Sequence, residues 1–121
     1  MLTVRGSHGK GKGVFTLKRF SKDEVIEEAP VIIMPNSQKE DIEKTEIRDY
    51  YWEWDENSMA LAFGYVSMCN HSYSPNAVFK KNLKDSTISL IALRDIEVDE
   101  EITTNYNGPP DDSDPVWFEV K

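Results

Sequence analysis

Residues 70–77 read NHSYSPNA, and residues 100–106 read EEITTNY. The first block follows residues 59–66, the most continuously apolar segment of the chain, which is expected to be buried. The polar groups of Asn70 and His71 are therefore expected to enter the interior and to find hydrogen-bond partners there. Taken alone, the block is consistent with a turn that contains a histidine whose hydrogen bonds are satisfied. It is also consistent with a polar site, because an asparagine can bind an adenine edge or an amino group.

A metal site is not expected from these residues. The chain has one cysteine, Cys69, and two histidines, His8 and His71. A single cysteine excludes an internal disulfide and a multi-cysteine zinc site. A site that used Cys69 and His71 would need two further ligands, and His8 is the only histidine left to supply one.

Length and composition predict a small globular protein. The 121 residues are enough for a single domain over residues 1–121 with one modest core. A hydrophobic fraction of 39% and a charged fraction of 30% are typical of a soluble chain. No segment approaches the roughly eighteen apolar residues that cross a membrane, and the N-terminus lacks a signal-peptide pattern. We therefore expect an intracellular, soluble protein without a membrane partner.

The net charge is −8 and the pI is near 4.7. Clusters of lysine and arginine, on which affinity for nucleic acid depends, are missing, so direct binding of nucleic acid is not expected. An acidic surface instead attracts a cationic partner, such as a basic protein or peptide. The same charge is also explained by solubility alone.

The sequence predicts short β-strands and one small helix. The predicted strands cover residues 2–5, 14–18, 25–34, 77–81, 86–93 and 102–106. Pro30 is expected to split the third of these runs into two strands or to interrupt an edge strand. Ser37 is expected to cap a short, weakly amphipathic helix outside the main core. Residues 77–81 and 86–93 are expected to form a hairpin.

Four glycines fall within residues 6–13, and residues 9–15 read GKGKGVF. The spacing nearly matches a phosphate-binding loop, but Gly13 occupies the position of the hydroxyl that reaches magnesium. Val14 onward is predicted to be strand, so the dipole of a helix N-terminus is missing and a nucleotide hydrolase is rejected. Such glycines indicate positive φ or close approach of a ligand to the backbone. On the residues alone, a flexible hairpin is the simpler explanation.

The three blocks GKGKGVF, NHSYSPNA and EEITTNY stand in the order found in SET domains. The chain therefore resembles the SET-domain protein-lysine methyltransferases, in particular the small single-domain viral and bacterial type without pre-SET or zinc post-SET modules. The resemblance implies a mostly β fold, a β-clip of short strands with a threaded, pseudoknot-like C-terminal segment. It also implies a short helical insert at about residues 35–58 and a C-terminal tail at about residues 107–121.

The resemblance further implies a site for the methyl donor S-adenosyl-L-methionine. The segment that cradles the donor through backbone groups corresponds to Gly11, Lys12 and Gly13. Asn70 and His71 correspond to the pair that contacts the donor, and Lys12 is a candidate partner for its carboxylate. Trp117, in the tail, is expected to cover the donor pocket, although simple packing on the core explains an aromatic tail equally well.

Two positions depart from the family pattern. Tyr73 stands where many members have a cysteine, which agrees with the missing zinc module. Ser67 stands where an arginine is frequent, and the sequence does not indicate what the serine changes.

Tyr106 corresponds to the residue most closely tied to catalysis in this family. Methyl transfer from a sulfonium to an amine is a direct displacement and needs no metal or covalent nucleophile. The target lysine, whose free pKa is about 10.4, must become neutral. Its nitrogen must also lie in line with the methyl group, at about 3–3.5 Å. An aromatic channel lowers the pKa of the amine by desolvation, and the Tyr106 hydroxyl at its end is expected to orient the amine.

Several residues are expected to contact the substrate lysine. Tyr50 matches a family tyrosine that lines the channel, and further candidates for the lining are Tyr51, Phe63 and Tyr65. Thr104 corresponds to the position that often governs how many methyl groups are transferred. Its small side chain favours di- or trimethylation, although its hydroxyl can also hold a water molecule that blocks them.

The predicted function is transfer of a methyl group from S-adenosyl-L-methionine to a lysine side chain of a protein, such as a histone tail or another basic protein. The alternative is a non-catalytic SET-like module that binds basic proteins through its acidic surface. Some small relatives pair, so a homodimer is also expected from the resemblance.

Overall fold

The computed structural model describes residues 1–9 and 11–116, which form two β-sheets and a short helical segment. The described strands are β1 (Leu2–Ser7), β2 (Gly11–Thr16), β3 (Val25–Pro35), β4 (Tyr51–Glu53), β5 (Ser58–Ala62), β6 (Asn70–His71), β7 (Ala77–Asn82), β8 (Thr87–Ala92) and β9 (Glu101–Thr104). The mostly β fold class predicted from the sequence is confirmed.

The first sheet has the strand order β1-β2-β9-β6. The glycine segment opens β2, which forms an antiparallel hairpin with β1. Strand β9 lies antiparallel to β2 and parallel to β6, with Asn70 opposite Thr103 and His71 opposite Thr104. The second and third sequence blocks therefore lie side by side in one sheet, next to the strand that carries the first.

The second sheet is antiparallel, with the order β4-β5-β3-β8-β7, and it contains the predicted β7–β8 hairpin. The expectation that Pro30 would divide or interrupt the third run is wrong, because β3 is one strand of eleven residues. The strand instead changes partner there: Pro30 pairs with Thr87 on β8, and Val31 pairs with Ala62 on β5. Pro30 has no N–H to donate, but its carbonyl accepts from the Phe63 N–H, at 2.9 Å.

The helical segment consists of a 3₁₀ turn (Asn36–Gln38), the helix α1 (Lys39–Glu43) and a second 3₁₀ turn (Glu46–Asp49). None of its residues is buried, so its predicted place outside the core is confirmed. The predicted Ser37 cap is wrong: Ser37 lies inside the first 3₁₀ turn, and the N-cap of α1 is Gln38, without a side-chain bond. In the described part of the chain, no helix is long and apolar enough to cross a bilayer.

The core joins both sheets in one apolar cluster. Its fully buried members include Val14 and Ile102 from the first sheet and Ile88 and Leu90 from the second. The expectation that residues 59–66 would be buried throughout holds only in part. Met59, Ala60 and Val66 are buried, but Phe63 and Tyr65 are exposed.

The exposure of Phe63 and Tyr65 follows from a turn after β5. The chain leaves the sheet there and enters a 3₁₀ turn (Tyr65–Met68). The Glu27 carboxylate fixes this turn by accepting from the backbone N–H groups of Tyr65 and Val66, both at 2.9 Å. Only Val66 of the turn faces the core.

Candidate active site

An aromatic cavity of about 100 Å³ lies where four segments distant in sequence meet. The segment after the helical turns supplies one wall, and the 3₁₀ turn after β5 together with Cys69 supplies a second. Strand β7 supplies a third, and Tyr106, two positions after the end of β9, completes the lining. The lining residues are Asp49, Tyr50, Tyr51, Trp52, Val66, Ser67, Cys69, Phe79 and Tyr106. A cavity with this largely aromatic lining can accept a long apolar stem.

A wider groove of about 560 Å³ adjoins the cavity. The two share the residues Asp49, Tyr51, Trp52, Phe79 and Tyr106. The groove also carries the acidic side chains of Glu43 and Glu53 and the basic side chains of Arg48 and Lys81. Because the lining is shared, the cavity opens from the groove, and an extended peptide in the groove can insert one long side chain.

Tyr106 is held at the cavity by hydrogen bonds from its hydroxyl and from its backbone N–H. Its hydroxyl donates to the Cys69 carbonyl at 2.5 Å, and its backbone N–H donates to Nδ1 of His71 at 2.9 Å. Burial raises the pKa of Tyr106 well above its usual range, and the neighbouring Cys69 and carboxylates act in the same direction. The phenol therefore stays protonated at neutral pH, and its oxygen retains lone pairs that can accept a hydrogen bond.

His71 is buried in β6 with only 2% of its surface exposed. Since its Nδ1 accepts from the Tyr106 N–H, the ring is the neutral tautomer with its proton on Nε2. The ring also meets Tyr73 edge to face, with centroids 4.4 Å apart, and Tyr106 at 5.2 Å. His71 thus links the position of Tyr106 to the first sheet.

On the first sheet, Asn70 ties β2 to β9. Its Nδ2 donates to the Lys12 carbonyl at 3.0 Å and to the Glu101 carboxylate at 2.7 Å. The same carboxylate accepts from the Ser7 hydroxyl at 2.7 Å. A Cβ added at Gly13 would lie 2.3 Å from the Glu101 carboxylate oxygen, so a side chain there would have to displace Glu101 or Asn70.

Gly11 differs from Gly13 in its surroundings. It has a φ of 74°, and a Cβ added there would meet nothing within 4 Å. The backbone of Gly11 therefore adopts a conformation that suits glycine, and the space beside it is open to a ligand. In the described residues, no group of three or more histidine, cysteine, aspartate or glutamate side chains is placed to hold a metal ion.

The SET domain family profile matches residues 11–107, which include Asn70, His71 and Tyr106. The chain belongs to the SET-domain family of protein-lysine methyltransferases. The resemblance inferred from the three sequence blocks is confirmed, and so is the prediction of an enzyme of this class.

Two known proteins extend this match beyond the motifs. A Schizosaccharomyces pombe histone-lysine N-methyltransferase specific for H3 lysine 37 is 34% identical over 119 residues, which cover 98% of this chain and 77% of the relative. A Plasmodium falciparum crystal structure, assigned as a histone methyltransferase, superposes with a TM-score of 0.70 at 30% identity. That alignment covers 87% of this chain and 91% of the neighbour.

The SET fold brings the predicted residues together in two groups. Gly13 and Asn70 meet around Glu101, with Gly11 and Lys12 on the same strand and His71 beside Asn70 on β6. Tyr50, Tyr51 and Tyr106 line the aromatic cavity. His71 joins the groups through its bond to the Tyr106 backbone.

The other predicted residues lie elsewhere. Phe63 and Tyr65 are 59% and 38% exposed and do not belong to the lining of either described cavity. Thr104 is buried in β9, also outside both linings. The Lys12 side chain is exposed, and Lys12 takes part through its carbonyl. Trp117 lies outside the described residues.

Sequence reasoning missed several residues of the site. Trp52 and Asp49 lie between the first and second motif blocks, where the sequence singled out only Tyr50 and Tyr51. Phe79 carried no signal, because which face of a hairpin meets the cavity is settled by tertiary packing. Glu101 adjoins the third block, and its pairing with Asn70 across the parallel strands identifies it only in the structure.

Proposed function

We propose that the protein transfers a methyl group from S-adenosyl-L-methionine to the side-chain amine of a lysine, with a histone as the substrate. The observation that carries the proposal is the aromatic cavity, which opens from a charged groove and ends at the protonated phenol of Tyr106. A lysine stem fits this cavity, and its amine would arrive at the phenol.

The residues of the first sheet fit the methyl donor. The open space beside Gly11 admits a ligand close to the β2 backbone, and Gly13 keeps that backbone against Asn70 and Glu101. Gly11, Lys12, Gly13, Asn70 and His71 would hold the donor, which supplies an electrophilic methyl group on a sulfonium. Trp117 remains part of the proposal as a cover for the donor.

Tyr106 acts as a positioning group for the reacting amine rather than as a base. Its proton is directed to the Cys69 carbonyl, and burial opposes loss of that proton. The oxygen can therefore accept a hydrogen bond from the amine and align its lone pair with the methyl group. The neutral amine itself comes from desolvation in the aromatic cavity, which lowers the pKa of a lysine.

The aromatic walls also favour more than one transfer. A methylated ammonium is attracted to the faces of aromatic rings, and Tyr50, Trp52 and Phe79 surround the cavity. Dimethylated or trimethylated lysine is the expected product. Thr104 remains a proposed influence on this number from its buried place in β9, opposite His71.

A histone-type substrate is supported by charge and by relationship. The net charge of −8 attracts a basic chain, and the groove exposes the carboxylates of Glu43, Asp49 and Glu53. The Schizosaccharomyces pombe relative is a histone-lysine N-methyltransferase. A histone substrate would also place the protein in the nucleus. The homodimer stays a prediction from the family resemblance, and analytical ultracentrifugation tests it.

Calorimetric titration with S-adenosyl-L-methionine, followed by mass spectrometry of histones incubated with the protein and the donor, tests the proposal. Wild type should bind the donor and add methyl groups to a lysine. Tyr106→Phe should fold and bind the donor like wild type, while its turnover falls by about 100-fold or more.

Two results would contradict the proposal. Binding of histones without any transfer by wild type would favour the non-catalytic module. Unchanged turnover in Tyr106→Phe, or an unfolded Tyr106→Phe protein, would show that Tyr106 is not the positioning group.

A further inference from the structure

We infer that Ser67 is a positioning residue that holds the Trp52 indole as a wall between the aromatic cavity and the groove, and that this wall keeps water from the target amine. The inference rests on the proposed function, because it concerns the state of the substrate amine. It also gives a role to the residue at which the chain departs from the family pattern.

A chain of two hydrogen bonds anchors the indole. Nε1 of Trp52 donates to the Ser67 hydroxyl at 3.2 Å, and that hydroxyl donates to the Ala62 carbonyl at 3.3 Å. A serine can accept from one partner and donate to the other at the same time. An arginine has only donors, so it could not accept the indole N–H at this position.

The indole also packs against β7. The rings of Trp52 and Phe79 meet edge to face, with centroids 4.6 Å apart and planes at 72°. Such contacts favour one relative orientation of the two rings. Trp52 is therefore fixed by the 3₁₀ turn at its N–H edge and by the hairpin at its ring.

The indole stands where the cavity and the groove meet. Trp52 and Phe79 line both, whereas Ser67 lines only the cavity. Without an acceptor at position 67, the part-buried indole N–H must remain unpaired or turn toward water. Either change loosens the wall, so water from the open groove can reach an amine in the cavity.

Water in the cavity changes the protonation of the amine. Desolvation disfavours the charged ammonium, and hydration restores it, so the pKa of the bound amine rises when the wall opens. The titratable groups that face the cavity are Asp49, Tyr50, Tyr51, Cys69 and Tyr106. None of these groups is replaced in Ser67→Ala, so a difference between its pH profile and that of wild type reports the pKa of the bound amine.

The test compares the pH dependence of kcat in wild type and Ser67→Ala, with a lysine peptide and saturating donor. Near pH 7, kcat of Ser67→Ala should be about threefold to tenfold lower, because less of the bound amine is neutral. The difference should close as the pH rises above the pKa of the bound amine. Ser74→Ala, which removes a hydroxyl outside the cavity lining, should match wild type throughout.

The Trp52→Phe variant distinguishes a positioning role of Ser67 from general damage to the fold. In Trp52→Phe, which lacks the indole N–H, adding Ser67→Ala should produce no further shift of the pH profile. Independently of activity, the indole N–H resonance assigned through Trp52→Phe should move and exchange faster with water in Ser67→Ala.

An unshifted profile, an equal loss of kcat at every pH, or a full additional shift in the Trp52→Phe background would overturn the inference. An unchanged Trp52 resonance would do the same. No transfer by wild type at any pH would overturn the proposed function together with this inference, whereas transfer with an unshifted profile overturns the inference alone.

Discussion

The sheet proposed to hold the donor and the segment proposed to form the substrate groove are built from different interactions. The donor sheet, formed by β1, β2, β9 and β6, is held by buried polar side chains that bond to backbone groups. The groove segment, residues 36–53, is held by exposed ion pairs and aromatic contacts. The contrast separates the part of the molecule that would serve the shared reaction from the part that would meet a particular substrate.

Asn76 illustrates the donor sheet. It is 3% exposed, its Nδ2 donates to the Glu101 carbonyl at 2.8 Å, and its Oδ1 accepts from the Thr103 N–H at 2.9 Å. The amide therefore pairs with β9 as another strand would. A buried amide with two such bonds can be replaced by few other side chains, so the sheet is specified closely by residue type.

The groove segment shows the opposite behaviour. The helical part contains no buried residue, and its ion pairs, such as Lys44 with Glu40 at 3.9 Å, are exposed. Exposed pairs contribute little to stability. Tyr51 is better anchored: its hydroxyl donates to Glu43 at 2.5 Å, and burial together with this bond raises its pKa to about 12. The segment can therefore change its surface charges while the aromatic residues keep the channel.

The largest difference between the two regions should appear in stability. Asn76→Ala leaves the Glu101 carbonyl and the Thr103 N–H without their partner in the interior, so we expect the free energy of unfolding to fall by about 3 kcal/mol. Asn36→Ala removes one exposed bond to the Glu56 carbonyl, at 3.2 Å, and should cost less than about 1 kcal/mol. Urea denaturation of both variants measures the two values.

Equal losses in these two asparagine variants would break the comparison, because they would show that the groove segment is specified as closely as the donor sheet. A loss for Asn76→Ala below that for Asn36→Ala would show that water replaces the buried amide.

The next effect should separate two glycines of the same hairpin. A methyl group at Gly13 must displace Glu101 or Asn70, because its ideal position lies 2.3 Å from one and 2.8 Å from the other. Gly13→Ala should therefore weaken donor binding about tenfold, through residues that would hold the donor. Gly6→Ala is the matched control, since a Cβ there meets nothing within 4 Å.

Calorimetry with S-adenosyl-L-methionine gives both affinities. If Gly13→Ala bound the donor as tightly as Gly6→Ala, the contact between Asn70 and Glu101 would have no part in the donor site. A loss confined to thermal stability, with donor affinity intact, would assign the glycine to packing alone.

The same contrast explains what the sequence could predict. Asn70, His71 and Tyr106 stand in short blocks whose residue types are constrained by buried polar bonds, so the pattern was readable before the fold was known. The β7–β8 hairpin was readable for a similar reason, because two alternating runs flank a polar turn. The expectation for Pro30 was wrong because β3 changes its partner at this residue, from β8 to β5, and that change is a tertiary feature.

Much of the channel wall lay beyond sequence reasoning, although Tyr50 and Tyr51 were predicted to line it. Phe63 stands in an apolar run, yet the turn fixed by Glu27 leaves it exposed. Trp52 faces the cavity because Ser67 and Phe79 hold it there, and both partners come from other elements. Local pattern gives the periodicity of a strand, but the partner across the cavity decides which face becomes a site.

The smallest effect concerns the charge at the mouth of the channel. Asp49 is exposed and lines both the cavity and the groove, so its carboxylate can meet a cationic substrate. Because exposed ion pairs contribute at most about 1 kcal/mol, Asp49→Asn should raise the KM for a basic peptide about threefold, with the KM for the donor unchanged. Glu46→Gln, which makes the same change of charge at an exposed residue outside both linings, should leave the two KM values as in wild type.

Salt should reduce the difference between Asp49→Asn and wild type, since screening weakens a pair of exposed charges. Equal effects of the two variants would mean that the total negative charge attracts the substrate, and that the groove segment contributes aromatic contacts rather than a placed carboxylate.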